Sequence, residues 1–366
     1  MSSVSPKNKK LKIFFIILGT SLLLVFLSLF LFLNSWVKEK IISNVEAHSE
    51  YKLKINTIAF IGLHGLEISG IELQPKLDSS QFFHEGLERD WIVIKATVSA
   101  EGIDWKALLW HKKFYAEKMT IRRANLYVYR DKQMPDAPYE YKPLHSKLLR
   151  DASTSVTIPL IKIVKSRIAY EEKSDMGVRT KVVFSKLYGT IRHLSTDSSY
   201  IANQPEVIVD GKGIIADSID ANMKYKFNTL NKRDSYHFEG HTGPFSASLF
   251  NKYLIPLSGA EISSGHVSRI NLFFYADNNM ATGKLDIDYD NLRLHLLTKG
   301  KRALKLILNA LIKNDDKKAN GKEKEMGEIN CTRDKGKSVF NYWWRAIKSG
   351  LRDSVVKRMP AKKKKK

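Results

Sequence analysis

The sequence has a single cysteine, Cys331, among its 366 residues. One thiol cannot form an internal disulfide framework, and it cannot supply the several thiolates of a cysteine-based metal site. Animal extracellular domains commonly use disulfides, whereas low cysteine content fits a protein of the bacterial envelope better. The composition therefore favours the bacterial envelope over an animal extracellular setting.

The sequence also lacks the common catalytic motifs, since it contains no G-x-S-x-G, no Walker A and no G-x-G-x-x-G. In the segment YHFEGH, His237, Glu239 and His241 would share one face of a strand. A zincin places two histidines four residues apart on a helix, and Gly240 and Gly243 argue against a helix here. We therefore predict no catalytic, cofactor-binding or metal site and no enzymatic activity.

Acidic residues are few, with 38 Asp and Glu against 61 Lys and Arg, so the net charge is +23. Such a charge can indicate nucleic-acid binding, but the basic residues are spread along the chain without a DNA- or RNA-binding motif. Anionic lipid headgroups also attract Lys and Arg near a membrane surface. We expect a membrane partner and no nucleic acid, and leave open that the charge serves solubility alone.

A long apolar run is present at residues 13–33, IFFIILGTSLLLVFLSLFLFL, which contains no charged residue. A helix of this length spans about 30 Å, the thickness of a bilayer's hydrocarbon core. A cleaved signal peptide is the alternative, but no small-x-small cleavage site follows the run. We predict an uncleaved transmembrane helix with Trp36 at the membrane interface, and lysines without acids before the run place residues 1–12 in the cytoplasm.

The chain after the anchor alternates between apolar and polar residues, which is typical of strands with one apolar face. A short amphipathic helix is predicted first, at residues 35–48. The alternating blocks are residues 51–73, 91–98, 119–129, 158–170, 179–194, 207–215, 218–227, 236–241 and 267–297. Few blocks lie beside a helical pattern long enough for a parallel crossover, so the sequence predicts an antiparallel, mainly β domain. Short helices are expected at residues 105–110 and 246–254, and a loop at 133–143.

The clearest hairpin is the block at residues 265–297, which turns at Asp277. Its apolar face is predicted to hold Ile270, Leu272, Phe274, Leu285, Ile287 and Tyr289, with Asp286, Asp288 and Asp290 on the solvated face. At Asp290 and Asn291 the alternation slips by one residue, and the apolar set continues as Leu292, Leu294 and Leu296. A bulge or tight turn at this point explains the slip.

The C-terminal part has a different character. Residues 299–313 predict a basic amphipathic helix that caps the sheet or lies on lipid, and residues 314–336 predict a flexible linker. Residues 338–359 predict a second amphipathic helix carrying Trp343 and Trp344, which suit a membrane interface, a groove end or packing on the domain. A tail of five lysines ends the chain.

The layout of the chain resembles that of the AsmA-like family of bacterial envelope proteins. The features that carry the resemblance are the anchor, the glycine-punctuated segment IAFIGLHGLEISGIEL, the long β region, the block GKLDIDYDNLRL and the late stretch NYWWRAIKSGLRDSV. That resemblance implies a fold like that of bridge-like lipid-transfer proteins, with a curled β-sheet groove lined by apolar residues. It further implies an inner-membrane anchor, a periplasmic domain and a role in outer-membrane biogenesis. It offers no catalytic motif. An ordinary sandwich or α+β core, in which the apolar face packs on itself, is the alternative.

We therefore expect a cytoplasmic head (residues 1–12), a transmembrane helix (13–33), a periplasmic AsmA-like domain forming an elongated, curled antiparallel groove (34–300), and amphipathic helices with a linker and basic tail (301–366). The expected ligand is phospholipid or another acyl-chain lipid. The candidate groove residues are Ile270, Leu272, Phe274, Leu285, Ile287, Leu292 and Leu294, and the candidate membrane-interface residues are Trp36, Trp343 and Trp344. The alternative function is a membrane-tethered scaffold whose compact β domain binds another envelope protein.

Overall fold

The computed structural model describes residues 37–47, 49–84, 90–134, 139–174, 176–252, 260–296 and 326–355, together with Ser35 and Ile255. The strands are β1 (Tyr51–Lys54), β2 (Thr57–Ile61), β3 (Gly65–Pro75), β4 (Asp90–Ile103), β5 (Lys113–Asp131), β6 (Ser155–Lys173), β7 (Arg179–Ser195), β8 (Glu206–Ile215), β9 (Ile219–Asn228), β10 (Tyr236–Thr242), β11 (Phe245–Ser246), β12 (Ala260–Ala276), β13 (Met280–Leu296) and β14 (Gly327–Thr332). The helices are α1 (37–47), α2 (Ser79–His84), α3 (Trp105–His111), α4 (His145–Arg150), α5 (Ser198–Asn203) and α6 (Val339–Val355), with a 3₁₀ turn at Ala247–Phe250.

All fourteen strands belong to one open sheet in the order β1-β3-β4-β5-β6-β7-β8-β9-β10-β12-β13-β14, with β2 paired to β3 and β11 paired to β12. The mainly β fold predicted from the alternating pattern is confirmed, and each predicted block contains strand. The short helix predicted at residues 105–110 is also confirmed, as α3. The pairing is antiparallel as expected, except between β5 and β6, which are parallel.

A line of β-bulges crosses the sheet at Gly70 in β3, Arg123 in β5, Lys165 in β6 and Lys186 in β7, which all have positive φ between 47° and 62°. The strand register shifts beside each of them. A bulge adds one residue to a strand, so side chains five positions apart on either side of it share a face. The bulge predicted at the phase slip is confirmed, since Asn291 has φ 50°.

The parallel pairing requires residues 132–154 to return along the whole length of β5 before β6 begins. Residues 139–150 of this connection, which we call the crossover, lie over the C-terminal half of the sheet. The amide of Lys142 donates to the carbonyl of Lys335 at 2.8 Å, and the His145 ring contacts the Tyr225 hydroxyl at 2.9 Å. Burial lowers the pKa of His145, so its imidazole is neutral at neutral pH.

The two ends of the sheet are packed against helices. At the N-terminal end, α1 contributes Val37, Ile41, Ile42 and Val45 to a cluster around buried Leu53, Ile55 and Ile58. This confirms the predicted amphipathic helix over the described part of residues 35–48. At the other end, α6 buries Tyr342 and Ala346 against β10, β12, β13 and β14.

No helix within the described ranges has the length and apolar character needed to cross a membrane. The predicted cytoplasmic head, the transmembrane run at residues 13–33, Trp36 and the predicted helix at 299–313 lie outside the described residues. The sheet extends further than expected, because Gly327–Thr332, within the predicted linker, forms β14. Ile329 and Cys331 alternate there with polar residues and are buried, a signal too short to stand out between charged segments.

Helix α6 contacts the sheet closely at Gly350. This contact predicts whether replacing Gly350 by Ala raises or lowers the free energy of unfolding. An Ala Cβ at residue 350 would lie 2.8 Å from both Leu285 Cβ and Ile329 Cγ1. In an exposed helix, Gly to Ala stabilises by about 1 kcal/mol. Here we expect Gly350→Ala to lower the free energy of unfolding by about 1–3 kcal/mol, because overpacking outweighs helix propensity.

Urea denaturation followed by far-UV circular dichroism measures the effect. The control is Lys348→Ala, at an exposed position of the same helix, which should change the free energy of unfolding by no more than about 0.5 kcal/mol. Stabilisation by Gly350→Ala would contradict the close packing of α6.

Candidate functional site

The strand register gives the sheet one apolar face. Directly paired residues on neighbouring strands point to the same side of a sheet, so a row of side chains can be followed from strand to strand. One row crosses twelve strands without a charged residue: Phe60, Leu66, Ala100, Met119, Ile161, Ile191, Val209, Tyr225, Phe238, Phe274, Gly283 and Ile329. We call this side of the sheet the apolar face.

Further rows extend the apolar face on both sides of the bulge line. The row next to the first consists of Ile58, Ile68, Val98, Ile121, Ile163, Gly189, Gly211, Met223, Gly240, Leu272, Leu285 and Gly327. Beyond the bulges, an eight-strand row consists of Leu53, Leu73, Ile94, Leu126, Ile168, Phe184, Ile215 and Ile219. The bulges therefore keep apolar side chains on one face along nearly the whole strand length.

The opposite face is polar. A row on that side consists of Glu67, Ser99, Thr120, Lys162, Thr190, Asp210, Lys224 and Glu239. Ion pairs along this side include Arg192 with Asp210 at 2.6 Å and Lys95 with Glu72 at 3.1 Å. The sheet is thus amphipathic as a whole, and its apolar face must be covered by other elements or by a ligand.

The described elements cover the apolar face at its two ends. At the β1–β3 end the cover is α1. At the β9–β14 end, the crossover contributes buried Leu144, and Trp343 of α6 packs on Tyr225 and Phe238 with ring centroids 5.1 and 4.8 Å apart. Burial raises the pKa of Tyr225, which stays neutral at physiological pH.

The middle of the apolar face, on β4 to β7, is less covered. Eleven apolar side chains there are partly exposed, and in the described part of the chain none belongs to a cluster packed around buried core residues: Ile92, Ile94, Val98, Met119, Ile121, Leu126, Val128, Ile163, Ile168, Val182 and Phe184. We call this surface the open strip. It lies across the parallel pairing of β5 with β6, where Leu126 pairs directly with Ile168.

A polar row borders the open strip at one end of its strands. This row consists of Asp90, Arg130, Glu172 and Thr180, directly beyond Val128 and its neighbours. Lys132 pairs with Glu172 at 2.5 Å, and Glu172 also accepts a hydrogen bond from the Tyr170 hydroxyl at 2.8 Å. Burial and the Glu172 carboxylate raise the pKa of Tyr170, so its hydroxyl, between the open strip and the polar row, stays neutral at physiological pH.

The groove residues predicted from the hairpin lie at the covered end of the apolar face. Phe274 and Leu285 are 0% exposed and Ile287 is 7% exposed, all in the cluster beneath α6 and the crossover. Ile270, Leu272 and Leu292 are half-buried against the same cluster. The backbone of Leu294 pairs with Ile262, and its side chain lies outside the described residues. The hairpin itself forms as predicted, as β12 and β13.

The two C-terminal tryptophans have different environments. Trp343 packs in the core cluster, which is the packing alternative left open by the sequence. Trp344, next to it in α6, is 60% exposed.

The polar candidates considered for catalysis or metal binding are engaged in surface pairs. His237 Nε2 lies 2.7 Å from Glu239 Oε1, and His241 hydrogen-bonds Asn271. Arg269 forms ion pairs with Asp286 and Asp288. Among the described residues, no group of three His, Cys, Asp or Glu side chains has an arrangement that could hold a metal ion.

The open strip was not identified from the sequence, although its strands were. A signal for it exists, because the apolar residues within β5 and β6 include pairs five positions apart, such as Ile121 with Leu126 and Ile163 with Ile168. An odd spacing within one strand indicates a bulge that resets the alternation. The sequence does not reveal which part of the apolar face the helices leave exposed.

Comparison with protein-family models and with curated protein sequences gives no match to this chain.

The open strip predicts a difference in thiol reactivity between two engineered cysteines. In a Cys331→Ser background, we expect Ile168→Cys to react with a polar maleimide under native conditions, because that side chain is partly exposed. Ala281→Cys, on the covered part of the apolar face and 0% exposed, should react only after denaturant is added. Equal protection of the two thiols would mean that another part of the chain covers the strip.

Proposed function

We propose that this protein binds acyl-chain lipid on the open strip of its sheet. The observation that carries the proposal is the middle of a continuous apolar face, where eleven apolar side chains are partly exposed and no described helix packs on them, whereas the two ends of the face are packed against helices. Large contiguous apolar surfaces are rare on soluble monomers and mark sites of protein, membrane or ligand contact. An acyl chain is the simplest cover for a face that carries no charge and few hydrogen-bonding groups.

The dimensions of the open strip fit acyl chains. From the level of Met119 to that of Val128, the paired strand β4 takes eight residue steps, from Ala100 to Ile92, or about 26 Å at about 3.3 Å per residue. The strip crosses four strands, about 15 Å at about 4.8 Å per step. Each leaflet of a bilayer holds acyl chains over about 15 Å, half the hydrocarbon thickness. Moving an acyl chain out of water stabilises it by about 0.8 kcal/mol per CH₂. This gain is nearly the same in the bilayer and on the strip, so exchange between the two changes the free energy of the chain little.

The surroundings of the strip are consistent with a bound phospholipid. In this arrangement the acyl chains lie on Leu126 and Ile168 and the headgroup lies toward the polar row that borders the strip, where Arg130 is 9% exposed and pairs with Asp90 at 3.9 Å. The apolar rows repeat from strand to strand, which favours recognition of a lipid class over recognition of one lipid species. The proposed lipid-binding residues therefore lie on β4 to β7, and not on the hairpin of β12 and β13 that the sequence predicted.

The cellular setting of the proposal comes from the sequence. The apolar run at residues 13–33 anchors the chain in the bacterial inner membrane as a single-pass protein, with the N-terminus in the cytoplasm and the sheet in the periplasm. By its resemblance to AsmA-like proteins, the chain acts without enzymatic chemistry in envelope lipid homeostasis or outer-membrane biogenesis. A membrane-tethered scaffold that binds another envelope protein is the competing outcome that the experiment must separate.

Photocrosslinking tests where lipid binds. Full-length protein is purified with a phosphatidylcholine that carries a photoactivatable acyl chain, and crosslinked peptides are mapped by mass spectrometry. We expect crosslinks in β4 to β7 as well as in the anchor. Crosslinks confined to residues 13–33 would contradict lipid binding by the sheet and favour the scaffold.

Paired substitutions on opposite faces of the same two strands make the test specific. Leu126→Asp with Ile168→Asp places carboxylates on the open strip and should abolish crosslinking to β4 to β7. Asn125→Asp with Arg167→Asp alters the directly paired residues on the polar face and should leave crosslinking unchanged. Circular dichroism checks folding, and if the aspartates unfold the protein, Leu126→Gln with Ile168→Gln serves as the milder variant. Unchanged crosslinking in a folded strip variant rejects the strip as the binding surface.

A further inference from the structure

A second exposed apolar surface lies away from the open strip, at the turn between β2 and β3 and on α3. Its side chains are Ile61, Leu63, Leu109 and Trp110, which are 50%, 86%, 69% and 72% exposed. We call this surface the apolar tip. Four large apolar side chains with such exposure in two adjoining segments are unusual for a surface that faces only water.

The apolar tip is held by specific contacts. The Trp105 indole N–H donates to the carbonyl of Leu63 at 2.7 Å, and the Trp105 ring packs on Phe60 with centroids 5.8 Å apart. The amide of Ile103 donates to the carbonyl of His64 at 2.9 Å. The β2–β3 turn and α3 are thereby fixed to each other, and Leu63 and Trp110 remain exposed in an ordered arrangement.

The charged residues of α3 and its C-cap are basic, whereas Glu101, which pairs directly with Gly65 at the β2–β3 turn, forms an ion pair with Lys118 at 2.9 Å. Residues 105–113 contain Lys106, His111, Lys112 and Lys113 and no acidic residue. Lys113 pairs with Asp197 at 2.8 Å, whereas Lys106, His111 and Lys112 are exposed beside Trp110. The nearest acid in the chain, Asp104, accepts the amide of Ala107 at 2.8 Å as the cap of α3. Apolar side chains flanked by lysines are typical of segments that lie in the interface of an anionic membrane.

The start of the described chain lies on the same side of the molecule. At the first turn of α1, the Lys38 ammonium donates to the carbonyl of Asn56 at 3.2 Å, directly before β2. From there β2 runs five residues to Ile61, about 15 Å. The far end of α1 lies at the opposite end of β3, where the Lys76 ammonium donates to the Glu46 carbonyl at 2.7 Å. The first turn of α1 is therefore the end of that helix nearer the apolar tip, and the apolar run at residues 13–33 precedes it in the sequence by only a few residues.

We propose that the apolar tip contacts the surface of an anionic lipid bilayer, with Leu63, Leu109 and Trp110 in the interface and Lys106 and Lys112 among the headgroups. Each lysine near such a surface strengthens binding about fivefold, the equivalent of about 1 kcal/mol. This contact is a second point of attachment beside the anchor and holds the sheet in one orientation. It does not depend on lipid binding by the open strip, since the two surfaces share no residue.

Fluorescence quenching tests the contact in the full-length protein. In a Cys331→Ser background, an environment-sensitive fluorophore is attached at Leu63→Cys or, as a control, at Met176→Cys. Met176 is 52% exposed in the turn between β6 and β7, at the opposite end of the strands. The protein is reconstituted in vesicles of phosphatidylcholine and phosphatidylglycerol that contain headgroup-quencher lipid. We expect severalfold stronger quenching at residue 63, and quenching there no stronger than at residue 176 overturns the proposal.

Charge reversal tests the role of the lysines. Lys106→Glu with Lys112→Glu should reduce quenching at residue 63 severalfold in the mixed vesicles, and the matched pair Lys224→Glu with Lys226→Glu, in β9 far along the sheet, should not. An unchanged signal in the Lys106 and Lys112 variant would overturn the electrostatic contact. Because the photocrosslinking of the open strip is a separate readout, failure here and failure of lipid binding are distinguishable.

Discussion

The structure depends on keeping apolar side chains on one face of strands up to 19 residues long. Strict alternation keeps apolar residues on one face only where they are an even number of positions apart, so the odd spacings in these strands require local corrections. The bulges at Arg123, Lys165 and Lys186 supply them in three neighbouring strands, at a cost of about 1–3 kcal/mol for each residue with positive φ. The amide of Ala124 at the bulge of β5 still donates to the Ser166 hydroxyl at 3.1 Å. The continuous apolar face follows from these corrections.

The cover of that face is uneven, and the unevenness gives the molecule its candidate site. Helix α1 packs over the first strands, while α6 and the crossover pack over the last ones. Glycines at 327 and 350 let α6 approach β13 and β14 closely, so that end is a dense core. The four strands between the two covers keep partly exposed apolar side chains. In the proposed function, acyl chains would complete the burial that the described helices leave unfinished.

The sequence was sufficient for the type of structure but not for the location of the site. Alternation predicted the strands, the hairpin of β12 and β13, and the bulge near Asn291, because these depend on local periodicity. The parallel pairing of β5 with β6 was missed, since the returning connection contains little helix. The burial of Phe274 and Leu285 was also missed, because it depends on α6 and Leu144, which lie far away in the sequence. Site geometry here is set by long-range packing that no local pattern encodes.

The parallel pairing of β5 with β6 also determines the order in which the molecule can assemble. Strands β1 to β5 form one meander of local pairings, and β6 to β14 form another. During synthesis the first meander emerges with β5 as an unpaired edge, and it can gain its partner only after the crossover has been made. The crossover docks on Tyr225 and Lys335, which emerge later still. We therefore expect β5 to remain an exposed edge until β6 has been synthesised, and the seam between Leu126 and Ile168 to be stabilised further once the crossover has docked.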